Sequence, residues 1–237
     1  MLKIFFFCAI FILALSFNRT ASAAAYENYV PTISVNGEGV VEVSPDCATI
    51  SVGVVSRNKD ASKVQADNAR IATNIINSIV ALDIERKNIR TGNYNFRQVN
   101  RYDENGNSIF DGYEVTNTVT IFVSDLNKVG KVIDAALSNG ANQINSLNFG
   151  IRDKEKFQNE ALRLAVRDAL NKAEIAAAGL GKKIVSVCNV SINSSSLNSP
   201  VMKTMMARGM NDSYDTPIES GTLNCSASVH VEFEISR

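Results

Sequence analysis

The chain has 237 residues, 45% of them hydrophobic and 20% charged, the balance of an ordinary globular protein with room for one large domain or two small ones. Lys plus Arg equals Asp plus Glu at 24 each, and histidine occurs once. There is thus no basic excess to hold nucleic acid, and the sequence has no polybasic patch for anionic lipid.

The first 23 residues read as an export signal. Lys3 supplies the positive start, and Ile4 to Phe17 form an apolar run of fourteen residues, too short to span a bilayer. Ala21-Ser22-Ala23 is a small-residue cleavage site, so the mature chain is expected to begin at Ala24. Cys8 lies inside the apolar run rather than at its end, which does not fit a lipid-attachment cysteine. Cleavage removes Lys3 and Arg19 and no acid, leaving 22 basic against 24 acidic groups. The expected product is periplasmic, with no transmembrane segment.

From Thr32 the pattern is that of strands. Ile33, Val35, Val41 and Val43 share one face, with Gly37 and Gly39 between them. Glycines inside a strand point to a bulge or a close backbone approach. Ser44-Pro45-Asp46 reads as a turn, and Ile50, Val52 and Val54 alternate in a second strand. These two strands are expected to pair as a hairpin. Asp60 caps a helix that runs to Leu82, with Val64, Ile71, Ile75 and Ile79 at helical spacing. A strand follows to about Tyr102, then Asn105-Gly106, a signal for a type I′ turn. The return strand puts Tyr113, Val115, Val119, Ile121 and Val123 on one side. Glu114, Thr116, Thr118 and Thr120 lie on the other. A short helix from Leu126 to Leu137 ends at Asn139-Gly140, and another strand spans Asn142 to Ile151.

The longest helical pattern runs from Asp153 to Gly181. Leu162, Ala165, Ala169, Ala173, Ala176 and Leu180 form an apolar stripe, while Lys156, Glu160, Arg163, Arg167 and Glu174 mark the solvated side. A stripe made mostly of alanine lets the helix lie unusually close to whatever it covers. Asp153 fits the N-cap, and Gly181 a left-handed stop. Ile184 to Ile192 returns to strand, a polar excursion follows, and Leu223 to Ile235 forms the last strand. There Ala227, Val229, Val231, Phe233 and Ile235 point inward, and Ser228, His230, Glu232 and Glu234 outward. From Ala48 to Ile151 the order is strand, helix, strand, strand, helix, strand, the ferredoxin-like split βαβ order. The fold class expected is α+β, with antiparallel or mixed sheets covered by three helices.

Four blocks, VNGEGVVEVSPDCATISVGV, KNIRTGNYNF, GYEVTNTVTIFVSDLNKVGKVIDAALSNGANQI and EALRLAVRDALNKAEIAAAGLGKKI, together resemble the SIMPL-domain family of exported bacterial proteins, which includes a periplasmic immunogenic protein group. The resemblance covers Thr32 to Ser236. It implies two subdomains, drawn here at about 26–88 plus 185–237 and at about 89–184. It also implies a periplasmic or outer-membrane-associated location, large ring-like homo-oligomers and a link to oxidative or envelope stress. The family offers no accepted catalytic residues to carry over.

The residues offer little chemistry of their own. His230 has Ser228 and Glu232 as same-strand neighbours, and three adjacent residues of one strand cannot converge on one reacting atom. No nucleophile elbow, zinc-protease, dinucleotide or phosphate-loop motif is present, and one histidine with scattered cysteines does not make a closed zinc site. Asp103, Glu104, Asp111 and Glu114 cluster at a hairpin but match no calcium loop, so they read as solvated turn charges. Met202, Met205, Met206 and Met210 stand at near-helical spacing in the excursion. They fit a subunit contact or local core packing, with thioether oxidation and Cu(I) binding as alternatives. The mature chain keeps Cys47, Cys188 and Cys225. If the strands either side of the excursion pair about Met206 and Ala207, Cys188 faces Cys225 and a disulfide is within reach; the alternative is three reduced thiols. The function expected is a non-enzymatic, self-assembling envelope protein without cofactor, metal or nucleic-acid partner. The rival is a binding module for a small molecule or a partner protein.

Overall fold

The computed structural model describes residues 30–201 and 218–237, with the side chains of 194–201 excepted. The strand β1 (Thr32–Val43) is followed by β2 (Cys47–Asn58) and helix α1 (Ala61–Val80). Then come β3 (Ile89–Tyr102), β4 (Ser108–Val123), α2 (Val129–Ser138) and β5 (Gln143–Gly150). The long helix α3 (Lys154–Gly179) leads to β6 (Ile184–Val201) and β7 (Thr222–Ile235).

The strands form two antiparallel sheets, one ordered β3-β4-β2-β5 and one ordered β1-β7-β6. The first, with α1 and α2 on one face, is the expected ferredoxin-like unit. Its core gathers Ile50, Val52 and Val54 of β2, Ile75 and Ile79 of α1, Val119, Ile121 and Val123 of β4, and Val129 and Val132 of α2. Asp60 caps α1 by accepting the Lys63 N–H at 3.0 Å. Asn68 is a core residue that apolar spacing does not reveal. Its Nδ2 donates to the carbonyls of Val54 at 3.1 Å and Val115 at 3.3 Å, tying α1 to two strands at once.

The expected hairpin between β1 and β2 does not form. β1 pairs along its whole length with β7, and β2 is central in the other sheet. The Ser44-Pro45-Asp46 segment instead carries the chain from one sheet to the other. Asp46 anchors that step: its N–H donates to the Gly150 carbonyl at 3.0 Å, and its carboxylate accepts from the Arg152 N–H at 2.9 Å and from Arg152 Nε at 3.2 Å. Grouping by sheet therefore joins β1 to α3, β6 and β7, and keeps 47–150 together, a division different from that drawn from the family resemblance.

Only one of the two central turn residues between β3 and β4 is left-handed. Gly106 has φ 82°, while Asn105 does not have positive φ, so the turn is not type I′. The Asp103 carboxylate accepts the backbone N–H groups of Asn105 and Asn107 at 2.9 and 2.8 Å, holding a wider loop.

α3 begins as expected at Asp153, whose side chain accepts the Lys156 N–H at 3.3 Å, and stops where Gly181 turns left-handed at φ 66°. Its buried stripe is Ala161, Ala165, Ala169, Ala173 and Ala177, a row at spacing four. Ala176 and Leu180, assigned to the stripe from spacing, are exposed. The row lies on β1 and β7, packing against Cys225, Ala227, Val229, Val231 and Phe233. At the seam the small residues on both sides are required. A Cβ on Gly37 would stand 2.7 Å from the Ala169 Cβ, and one on Gly39 2.5 Å from the Ala165 nitrogen.

Candidate functional site

His230 stands on the solvent side of β7, directly opposite Asn36 of β1, with its Nδ1 2.8 Å from the Asn36 Oδ1. Glu232 accepts from the Thr32 hydroxyl at 2.9 Å, and Glu234 from the Ser186 hydroxyl at 2.8 Å. The histidine thus makes a cross-strand polar pair, and its acidic strand neighbours bond to other strands.

The four hairpin carboxylates separate into different roles. Hydrogen bonds from the Asn107 side chain, then from backbone N–H groups, hold the Asp103 carboxyl below its usual range. Asp111 sits 3.9 Å from Arg101. Glu114, expected to be solvated, is only 5% exposed. The register explains the difference, because β4 lies between β2 and β3 and Glu114 is opposite Arg57 on one side and Arg97 on the other. Arg57 Nε reaches it at 2.5 Å, and Arg97 Nε and a terminal guanidinium nitrogen at 2.8 and 2.6 Å. The two guanidinium groups, Arg57 first, hold the Glu114 carboxyl below its usual range. Among the described residues no group of His, Cys, Asp and Glu side chains is placed to hold a metal ion.

The cysteines do not face one another. Cys225 is opposite Leu197 on β6 and Val41 on β1, while Cys188 occupies a bulge beside the Val187–Phe233 pair. The pairing about Met206 that would bring Cys188 to Cys225 is not the observed register: Ile184 lies opposite Ile235 and Leu197 opposite Cys225. All three thiols are free, Cys188 exposed and the others buried. Burial pushes the Cys47 and Cys225 thiols up, with Asp46 adding to the effect at Cys47. A thiol reagent is therefore expected to react quickly with Cys188 alone in the folded protein, and with Cys47 and Cys225 only after unfolding. Two fast thiols, or fewer than three in the denatured mature chain, would contradict this arrangement. Met202, Met205, Met206 and Met210 lie outside the described residues.

α3 wraps the free edge of β1. Asp168 accepts the Glu38 N–H at 2.9 Å, and Lys172 donates to the Asn36 carbonyl at 3.1 Å and pairs with Asp168 at 2.6 Å. Those bonds, Lys172 first, hold the Asp168 carboxyl low. They close an edge that would otherwise be open to another strand. Beside them runs an open groove of about 550 Å³ lined by Glu38, Gly39, Val40, Leu164 and Asp168. It presents no nucleophile beside a base.

The other side of the same helix is uncovered. Val187, Val190 and Ile192 of β6 pair with Phe233, Val231 and Val229, so they share the apolar face of the sheet. Yet they are 55%, 48% and 61% exposed, because α3 covers β1 and β7 and leaves β6 open. Asp168 and Lys172 mark the flank of α3 that reaches β1. By helical periodicity Val166 lies on the opposite flank and is exposed, whereas Leu170 lines the groove beside β1.

The SIMPL family model, described as a protein of unknown function (DUF541), matches residues 33–233. The chain belongs to the SIMPL family. This SIMPL chain is 30% identical over 226 residues to the 26 kDa periplasmic immunogenic protein of Brucella melitensis, covering 90% of each chain. It is also 30% identical over 213 residues to the uncharacterized protein YggE of Escherichia coli, covering 86% of this chain and 83% of YggE. YggE of Edwardsiella ictaluri is 25% identical over 211 residues, covering 87% of the SIMPL chain and 88% of its own. The α+β architecture expected of a SIMPL chain is the one observed. No described helix of it is long and apolar enough to cross a membrane.

Proposed function

We propose that this SIMPL chain is a non-enzymatic periplasmic protein that works as a homo-oligomer, a ring-like or channel-like assembly associated with the envelope. The observation that carries the reading is the open apolar strip of Val187, Val190 and Ile192 on β6, with Val166 exposed on the flank of α3 away from β1. Isolated exposed apolar residues need no explanation, but a strip continuous with the core of a sheet favours a covering partner. A second copy presents the same strip, which suits a self-complementary contact within a pair of subunits; a ring built from such pairs uses a further contact between them. The periplasmic name of the Brucella relative and the signal-like first 23 residues support the location. The excursion with Met205 and Met206 follows β6 directly in the chain and belongs to the same proposed contact. A role in oxidative or envelope stress is part of this reading and rests on the family resemblance.

Light scattering on the mature protein is expected to give several times the monomer mass. Val190→Asp with Ile192→Asp is expected to lower that mass without unfolding the chain, since both side chains already stand half exposed. A monomeric wild type would end the reading. An assembled double variant would move the contact elsewhere.

A further inference from the structure

The hairpin of β3 and β4 carries a feature that assembly through α3 and β6 does not use. Among the described residues every exposed aromatic ring lies on it: Tyr94 at 50%, Phe96 at 43%, Phe110 at 44% and Tyr102 at 75%. The register puts them on one face. Phe96 is opposite Val115, Gln98 opposite Tyr113, Asn100 opposite Phe110 and Tyr102 opposite Ser108. A bulge between Val99 and Asn100 keeps the alternation in phase with Phe110. Along β3 this face reads aromatic, aromatic, amide, amide, aromatic. The rings are held in place: Phe96 stacks on Tyr113 with centroids 5.5 Å apart, and Phe110 meets the same Tyr113 edge-on at 5.3 Å. Gln98 and Asn100 are joined by a 3.0 Å hydrogen bond and keep further donors and acceptors free for a ligand.

Charge decides between partners. The two arginines between Asn93 and Tyr113 are both engaged, Arg97 with Glu114 and Arg101 near Asp111. The tip adds Asp103 and Glu104. Single-stranded nucleic acid needs cations beside its stacking rings, and anionic lipid needs a basic surround. This face supplies neither. An apolar peptide would gain nothing from the two amides at its centre. What remains complementary is a neutral chain with apolar C–H faces and flanking hydroxyl groups.

We propose that this face binds a neutral glycan, its sugar rings lying on Tyr94, Phe96, Phe110 and Tyr102 and its hydroxyl groups bonding to Gln98 and Asn100. The mature full-length protein, titrated by calorimetry with hexasaccharides of N-acetylglucosamine and of glucose, is expected to bind at least one saturably. Tyr94→Ala with Tyr102→Ala is expected to weaken that binding by about tenfold or more, as loss of stacked rings does. Gln98→Ala is expected to weaken it less. Sulfated heparin is expected not to bind. Circular dichroism on each variant separates loss of fold from loss of binding, and Phe110→Ala is the substitute where the double variant unfolds. No binding of either sugar overturns the proposal, as does equal binding by the folded variant or tighter binding of heparin. A lower particle mass in the double variant would make this face a subunit contact and also overturn it. A monomeric wild type that binds the sugar would remove the assembly reading and leave this one standing.

Discussion

Gly39→Val is expected to destabilise the fold by about 3 kcal/mol, the upper end of what overpacking a close contact costs. The reason is the seam between β1 and α3. A side chain at Gly39 meets the Ala161 carbonyl oxygen, the Ala165 nitrogen and the Leu164 Cβ, so two of the three nearest atoms are backbone and cannot rotate away. Relief requires α3 to lift from β1 and β7, which opens the packing of the whole alanine row on Cys225, Ala227, Val229 and Val231. Gly179 is the control. It lies at the end of the same helix with nothing within 4 Å of an added Cβ, so Gly179→Ala is expected to raise stability by about 0.5–1 kcal/mol through helix propensity. Urea unfolding of both variants measures the contrast. A Gly39→Val midpoint equal to wild type would mean that the seam is looser than described.

Glu114→Ala is expected to cost about 2 kcal/mol, within the range for charge-assisted hydrogen bonds to a buried group. The cost stays below that of splitting a fully buried ion pair, because Arg57 and Arg97 are 65% and 57% exposed and water takes over their guanidinium groups. The sign of the pH dependence follows from the lowered carboxyl. A group whose folded value lies below its ordinary 4.5 contributes stability that is present above that value. That stability is lost as pH falls through the lower, folded value. The wild type is therefore expected to lose stability below about pH 4.5, and Glu114→Ala to lose less over the same range. Parallel acid titrations of the two proteins, followed by urea midpoint, test this. Identical slopes would show that Glu114 is not the linked group.

Periodicity alone sets out much of this protein. The split βαβ order is visible between Ala48 and Ile151 because each of its elements alternates or repeats within itself. The alternation of β7, the caps at Asp60 and Asp153 and the stop at Gly181 are local rules, satisfied by neighbours in the chain. Even the close approach of α3 is legible, from Gly37 and Gly39 on one side and an alanine stripe on the other, although neither names its partner. What tertiary structure decided was which strand lies beside which. β1 pairs with β7, nearly two hundred residues away, rather than with its neighbour β2, since only the sheet under α3 has a use for two glycines. Glu114 alternates like a surface residue and is buried because β2 and β3 bring an arginine to each side of it. Cys188 and Cys225 stay apart because β6 and β7 align Ile184 with Ile235, a register that the chain's spacing does not encode. The aromatic face of the hairpin has a trace in sequence, Tyr94, Phe96 and Tyr102 at even separations. Its exposure, however, is a property of where the helices end. Local pattern specifies an element and its faces. Long-range pairing specifies what each face meets, because that depends on which burial is the most favourable for the whole chain.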